Sequence, residues 1–404
     1  MKQNAYIAGV GITPFGRHLD RTLSSLAHDA IRQAMADAGV QNTDIQAAWA
    51  GNAAAPIITG QLCIAGQVIL NGLGIGRIPV VNVENACATS STALQQAASL
   101  VTLGAYDVVL VFGVEKLYHP DKQRVFSVFE GCRDVDDPDA LDAYLISDGR
   151  SSDGAGQSRS IFMDIYARMA RGYMEKTGAT ARDFAAVSAK NSVHGSLNPN
   201  AQFQNVLSVE EILAAPLIID PLTLLMCSPI GDGAAAAVIM SEKAVRQHGV
   251  AQPVRIDSAL VASGFEHGEA DFDLTRWAAV QAYEQAGIDP REIDCVELHD
   301  ASSPAELIYY EKLGLCGPGQ SLALLHDGET RIGGRIPVNP SGGLVRKGHP
   351  IGATGLGQIH ELTTQLRGRA GARQVEGASL AVAENGGGFL TSDAAALTMT
   401  VLSR

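Results

Sequence analysis

Residues 27–52 read AHDAIRQAMADAGVQNTDIQAAWAGN, and residues 276–300 read RWAAVQAYEQAGIDPREIDCVELHD. Taken over Leu26–Asn52 and Leu274–Asp300, the two stretches align without a gap. Each has the apolar spacing of an amphipathic helix. Each closes on Ala-Gly (Ala38-Gly39, Ala286-Gly287), where glycine's access to the left-handed region ends a helix. An acidic turn and a short strand follow in both, and the alignment sets Gly51-Asn52 opposite His299-Asp300. A chain that repeats itself at this scale is built from two copies of one unit.

Further pairs extend the repeat. CATSSTALQQAA (residues 87–98) predicts a small-residue turn opening a helix, and DVVLVFGV (107–114) a fully buried strand. In the other half GHPIGATGLGQIHELTTQL (348–366) opens a helix with the same kind of turn, and ASLAVA (378–383) is the strand after it. GDGAAAAVIM (231–240) and TSDAAALTMTVL (391–402) are the closing strands. Strands separated by helices predict mostly parallel sheets buried on both faces, so the fold class is α/β, with two units packed as a layered α/β/α/β/α core. The stretch from Tyr118 to Cys227 has no counterpart in the second half and is more polar. It reads as an insertion lying over the first unit. The expected organisation is 1–117 with 228–262 as the N-terminal half, 118–227 as the inserted domain, and 263–404 as the C-terminal half.

Composition narrows the functional classes. With 404 residues, 46% hydrophobic and 18% charged, the chain can bury one large core or several domains. A net charge of −13 with no Lys/Arg cluster excludes a duplex-binding face. Aromatics at 5% offer no platform for single-stranded nucleic acid. The six cysteines, at 63, 87, 132, 227, 295 and 316, form no CxxC pair, so neither a zinc ribbon nor a dithiol redox motif is expected, and no metal site is assigned. No apolar run reaches the ~18 residues of a membrane span, and residues 1–11 lack a signal-peptide pattern. Free thiols fit a reducing cytoplasm.

Chemistry concentrates at the helix openings and strand ends. Cys87 stands where the β-branched run 78–83 gives way to the small residues of CATSS. The start of the following helix is expected to favour its thiolate and lower its pKa, as acyl transfer from a thioester requires. His349 lies in GGLVRKGHPIGATGLGQ (342–358), whose six glycines fold backbone tightly beside it. It can accept a thiol proton or donate to an oxyanion. His299 follows the strand 295–298, at the carboxyl end where α/β proteins place ligand-binding groups. Glu384-Asn385-Gly386-Gly387-Gly388 follows another buried strand; its glycine amides suit an oxyanion hole, and burial would raise the Glu384 pKa into the range of proton transfer. Each reading has a plain structural counterpart: a buried thiol, an Asp300 that only caps a helix, a solvated Glu384 on a hairpin.

These residues resemble the thiolases, and within them the branch similar to the thiolase domain of sterol carrier protein x. The resemblance covers nearly the whole chain: NVENACATSSTAL (82–94), GVEKLYHP (113–120), KNSVHGSLNPNAQ (190–202), SPIGDGAAAAVIM (228–240), ELHDASSPAEL (297–307), NPSGGLVRKGHPIGATGLGQ (339–358) and ENGGGF (384–389). It implies the thiolase fold, two βαβαβαββ units in five layers with an inserted loop domain. It implies that Cys87 receives the acyl group and that His349 activates the thiol and helps hold the thioester oxygen. His299 would orient a water in a first oxyanion hole; the amides of Cys87 and Gly386 would form a second, and Ser228 would touch the pantetheine arm. Coenzyme A and acyl-CoA enter as substrates, with no tightly bound cofactor, and the assembly is expected to be a homodimer or homotetramer.

The chain departs from that pattern twice. Where the branch reads HDCF, residues 299–302 are His-Asp-Ala-Ser, and where other members carry the Cys of CxGGG, Glu384 stands. The thiol acid/base is thus absent from both of its usual places, and Glu384 is the candidate replacement. The expected function is an acyl-CoA C-acyltransferase working through acyl-Cys87 by thiolytic cleavage or Claisen condensation. Two alternatives remain at this point: a thiolase-like retro-aldolase acting on acyl-CoA side chains with a small zinc-ribbon/OB-fold partner, and a non-catalytic acyl-CoA-binding subunit.

Overall fold

A computed structural model of the chain describes residues 3–265, 272–390 and 393–404. Both helices of the repeat form where their spacing places them, at Leu23–Ala38 and Leu274–Ala286. Gly39 and Gly287 end them in the left-handed region, at φ 69° and 76°, which a residue with a Cβ enters only at a cost. A short 3-10 turn follows each (Asn42–Asp44, Pro290–Glu292), and then a strand.

The strands are β1 (Ala5–Ile12), β2 (Ala47–Gly51), β3 (Val80–Val83), β4 (Val108–Glu115), β5 (Leu217–Ile219), β6 (Leu222–Thr223), β7 (Gly233–Met240), β8 (Val254–Ser263), β9 (Cys295–Glu297), β10 (Leu380–Gly387) and β11 (Ala396–Ser403). Nine of them hydrogen-bond in the order β3-β2-β4-β7-β1-β8-β11-β10-β9. This is one five-strand pattern written twice in mirror order, joined where β1 pairs with β8. Beyond β9, Val338 makes an isolated parallel bridge to Val296 and takes the place that β3 holds in the first half. The closing strand expected from Thr391 begins at Ala396; residues 391–392 lie outside the described residues, as do 1–2 and 266–271 of the two halves.

Strand direction departs from the expectation of mostly parallel sheets. Only β2 with β3, β2 with β4, and β9 with β10 run parallel. The pairs β1·β7, β1·β8, β4·β7, β8·β11 and β10·β11 are antiparallel. β10 and β11 are joined by residues 388–395, too few for the dozen or more that a parallel crossover needs. Burial of both faces, read correctly from β4 and β7, does not fix direction.

The layers follow from which faces are apolar. The helices Thr89–Thr102 and Thr354–Leu366 pack on each other between the two half-sheets and build a central core with Val109, Val111, Ala237 and Ala381. Helix Leu23–Ala38 covers the outer face of the first half-sheet, and Leu274–Ala286 that of the second. The result is the five-layered α/β/α/β/α arrangement.

The insertion does not lie mainly over the first unit. Its helices Ile161–Thr177 and Ala181–Ser196 pack on Ser303–Lys312 and Gly343–Lys347 of the second half, sharing one apolar core through Phe184, Val187, Leu222 and Met226. Only the shorter helix Lys122–Glu130 rests on the first half, against Ala55–Ile58. Its polar composition concealed an apolar stripe that needed a cover, and the second unit supplies it. Among the described residues, no helix is long and apolar enough to cross a membrane.

Candidate active site

Cys87 sits in a tight 3-10 turn, Ala86–Ala88, that opens the inner helix Thr89–Thr102. Ala86 takes φ 48° there, a conformation that costs a non-glycine residue energy and that surrounding structure must hold. The hold is visible. Glu84 Oε1 accepts the Ala86 N–H at 2.6 Å, Thr89 Oγ1 accepts the Asn85 N–H at 2.8 Å, and Asn385 Nδ2 donates to the Cys87 carbonyl at 2.8 Å. β10 presses close against this elbow. A Cβ on Gly387 would stand 2.4 Å from the Asn85 oxygen and 2.6 Å from the Ala88 nitrogen, so only glycine permits the approach.

The second half repeats the device. A 3-10 turn at Ile351–Ala353 opens the other inner helix, and His349 projects from the loop just before it. Its Nε2 lies 3.3 Å from Cys87 Sγ, across 262 positions of sequence. Thr354 Oγ1 lies 2.7 Å from Nδ1 and donates its own proton to the Pro350 carbonyl at 3.1 Å. The hydroxyl therefore accepts from Nδ1–H, which leaves the Nε2 lone pair facing the thiol. Burial, then the nearby His299 and Lys347, hold the His349 pKa well below the ordinary imidazole value, so the ring is neutral and basic at Nε2.

The thiol itself departs from expectation. Burial pushes the Cys87 pKa well up, and the nearby Cys132 and Glu115 add to the rise. Hydrogen bonds from the Gly388 and Cys87 amides pull the other way without offsetting it. The helix-start argument for a lowered pKa thus fails: desolvation outweighs the amide dipoles. Cys87 rests as a thiol beside the neutral His349 ring.

His299 follows β9. Its ring centroid is 5.0 Å from that of His349, at 71°. Tyr166 Oη lies 3.5 Å from Nδ1, while Nε2 is buried with no hydrogen-bond partner among the described residues. Burial lowers its pKa to about 4, so this ring too is neutral. Asp300 does not cap the helix that begins near Pro304; its carboxyl accepts from the Leu344 amide, in the first turn of helix Gly343–Lys347, at 2.7 Å and from Asn191 Nδ2 at 3.0 Å. Glu384 lies behind His299. Its Oε2 accepts the His299 backbone N–H at 2.9 Å, and its Oε1 has no partner among the described residues. Burial raises its pKa to about 7. A Cβ added to Gly386 would lie 3.9 Å from both Glu384 Oε1 and His299 Nδ1, so these two groups flank one space.

Cys87, His299, His349 and Ser228 line a common cavity of about 250 Å³, walled by Phe126, Phe129, Phe162, Met163, Tyr166 and Leu117. Lys122 and Arg159 add positive charge to its wall, the latter paired with Asp164 at 2.6 Å. Glu384 and Gly386 are not among the lining residues. Sequence reasoning had brought Cys87, His349 and His299 together; it missed Thr354, Asn385, Tyr166 and the Gly388 amide. Thr354 stands in the same glycine-rich block as His349, and that proximity was its only signal. It also missed Glu115, whose buried carboxylate accepts from the amides of Ala53, Ala54 and Gly352 and from Asn52 Nδ2. That one side chain ties the ends of β2 and β4 to the His349 loop.

Comparison with known proteins agrees with this geometry. Residues 5–243 match the thiolase N-terminal domain, and residues 266–400 match the thiolase C-terminal domain-like family. The chain belongs to the thiolase family. The benzoylsuccinyl-CoA thiolase subunit BbsB of Thauera aromatica is 37% identical over 383 residues, 93% of this chain and 92% of that protein. Human sterol carrier protein 2 is 37% identical over 398 residues, 95% of this chain and 70% of the relative. Among solved structures, the Ltp2-ChsH2(DUF35) aldolase superposes with a TM-score of 0.79 at 26% identity, over 99% of this chain and 97% of that one. The expected fold holds, and with the family comes the reaction class: this thiolase is an acyltransferase, whose elbow and GHP loop are the two halves of one site.

Proposed function

We propose that this chain cleaves a 3-oxoacyl-CoA with coenzyme A, or runs the reverse Claisen condensation, through a thioester on Cys87. The observation that carries the reading is the 3.3 Å approach of His349 Nε2 to Cys87 Sγ at the wall of an acyl-sized cavity. Sγ attacks the 3-oxo carbon while Nε2 takes its proton. The oxyanion formed there is held by amides of the elbow and of the glycine run: Cys87 with Gly388, whose N–H groups bond the sulfur, or with Gly386, two residues earlier in β10. The C2–C3 bond then breaks and the acetyl-CoA carbanion must be protonated at C2.

No cysteine serves that step at the family's two usual positions. Glu384, buried, its Oε1 without a partner among the described residues and its pKa near neutrality, supplies the proton, and His299 at the cavity wall orients a water in the first oxyanion hole. Ser228 and the positive wall at Lys122 and Arg159 receive the coenzyme A arm. Phe126, Phe129 and Phe162 suit a bulky, aromatic acyl group, as the name of the BbsB relative also suggests. The functional unit is a homodimer or homotetramer in the cytoplasm, with a small zinc-ribbon/OB-fold subunit as a further partner; the two-component name of the aldolase neighbour supports a second subunit.

A retro-aldolase reading is favoured by one observation, the absence of a cysteine in residues 299–302 and at 384. Retro-aldol cleavage forms no acyl-enzyme. Intact-protein mass spectrometry after mixing with a 3-oxoacyl-CoA separates the two: acyl transfer adds one acyl mass, lost in Cys87→Ser. Cleavage of a 3-hydroxyacyl-CoA, the class a retro-aldolase takes, with Cys87 unmodified at every time point and no acyl mass gained from the 3-oxoacyl-CoA, would replace this reading with the lyase.

A further inference from the structure

We propose that Cys87, His299 and His349 also form a binding site for a soft divalent metal ion, with zinc as the reference case, and that the bound ion blocks the enzyme by occupying its nucleophile. One donor atom from each residue lies within 4.8 Å of the other two. The Cys87 Sγ to His349 Nε2 separation is already 3.3 Å. Tetrahedral zinc holds sulfur at ~2.3 Å and imidazole nitrogen at ~2.0–2.1 Å, which puts its donors roughly 3.4–3.6 Å apart. One edge of the coordination figure therefore exists in the protein; the other two lie within 4.8 Å and shorten as the His299 ring moves toward the ion.

The surroundings fit the same ligand. The Nδ1–H of His349 is bonded to Thr354 Oγ1 at 2.7 Å, the arrangement that fixes ring and tautomer in metal-binding histidines. His299 Nε2 is buried without a partner among the described residues, and His299 lines the cavity. A thiolate and two imidazoles select zinc, cobalt or copper over magnesium or calcium, and no carboxylate is among the lining residues to favour a hard cation. The cavity leaves the fourth position open to water or to a substrate sulfur. On binding, the Sγ–H bond breaks, its proton goes to the buffer, and an Sγ–metal bond forms; nothing is oxidised or reduced. The inference rests on the placement of three side chains and not on the acyl-transfer reading.

Cobalt(II) titration of the purified full-length protein tests it. One equivalent per chain should give tetrahedral d–d bands and a sulfur-to-cobalt charge-transfer band. Cys87→Ser should abolish the latter, and His299→Ala should weaken binding at least tenfold, with His299→Asn as the substitute if the alanine variant does not fold. Cys63→Ser, at an exposed thiol, should change nothing. Zinc should displace cobalt, prevent acylation of Cys87, and be reversed by a chelator. A spectrum without a thiolate band, a band that survives Cys87→Ser, or unchanged acylation at saturating zinc would each overturn the proposal. If metal-free enzyme never acylates, acyl transfer fails while the cobalt spectrum still decides the metal site.

Discussion

Thr354 fixes the chemistry of His349: its Oγ1 sits 2.7 Å from Nδ1, on the opposite side of the ring from Cys87. Because that hydroxyl spends its own proton on the Pro350 carbonyl, it can only accept from the ring. The basic nitrogen thus faces the sulfur, in a pocket where Cys87 is not ionised beforehand. In the proposed reaction, a raised thiol and a neutral imidazole 3.3 Å apart would transfer the proton during attack, not before it.

Thr354→Val keeps the shape and removes the acceptor. Losing a buried hydrogen bond to a group that becomes charged costs roughly 1.5–3 kcal/mol, a ~10–100-fold slower acylation of Cys87. Stopped-flow release of the first product measures it. Serine at 354 should recover most of the rate. An unchanged acylation rate in Thr354→Val would show that the tautomer is set elsewhere.

The pH dependence should carry the signature of Glu384. Its pKa is raised to about 7, from 4.5. As the base for condensation, where the C2 proton is removed, it is active when ionised, so the condensation rate should climb through about pH 7 and level off above. Thiolysis, which draws on the protonated form, should fall through the same range. Glu384→Gln should abolish turnover in both directions while Cys87 still acylates. Stability shifts the opposite way from an ordinary paired carboxylate. Between pH 4.5 and about 7 the folded state binds the more protons, so this group makes stability fall as pH rises. Glu384→Gln should remove a decline of the order of 3 kcal/mol; Tm against pH reads it.

How far these relationships were legible follows from where each signal sits in the chain. The repeat was legible because its devices are local: Gly39 and Gly287 end helices by their own conformation, and the small residues after Cys87 and His349 each open a helix. The meeting of those two turns followed from the repeat, since matching positions of matching units face each other across the central layer. Strand direction was not legible, because Val108–Glu115 is buried on both faces whichever way its neighbours run. Nor was the seat of the insertion, since the stripe on Ala181–Ser196 says that it must be covered and not by what. The sign of the Cys87 shift was missed for the same kind of reason. A helix start is visible in sequence; the depth at which desolvation outweighs it is not.

Chemical labelling should report that depth. Cys63 is exposed and Cys87 buried with a raised pKa, so iodoacetamide should modify Cys63 first and Cys87 slowly, at a rate that rises with pH. Peptide mapping over time reads both. An acyl-CoA, which brings its own binding energy and uses His349 in the transition state, should still modify Cys87 within the dead time of mixing by hand. A Cys87 that alkylates faster than Cys63 at neutral pH would mean that the thiolate is present at rest.

Glu115 makes a different kind of prediction, since it touches no lining atom yet anchors the loop that carries His349. Its carboxylate holds four donors, from Asn52, Ala53, Ala54 and Gly352. Glu115→Ala would leave them buried and unmatched, at ~1–3 kcal/mol for each one that finds no water. The expected result is a lower Tm and slower acylation together, with substrate binding less affected because the cavity wall is intact. Loss of stability with a fully normal acylation rate would make Glu115 a packing residue only.

The acyl group is the last point the cavity argues. Phe129 and Phe162 stand edge to face, with ring centroids 6.2 Å apart, and Phe126 and Met163 complete the same apolar wall. An aryl ring that enters this wall gains offset contacts that a methyl group cannot reach, and aromatic pairs add ~0.5–1.5 kcal/mol beyond burial. Burial of six ring carbons adds more, at ~25 cal/mol per Å² of apolar surface. The wild type should therefore prefer an aroyl-acetyl-CoA over acetoacetyl-CoA by at least tenfold in kcat/KM. Phe162→Ala should erode the preference chiefly through the aromatic substrate, because the short one never reaches that ring. If both substrates lose rate equally in Phe162→Ala, the ring shapes the site for every acyl group, and the aromatic preference belongs to another part of the wall.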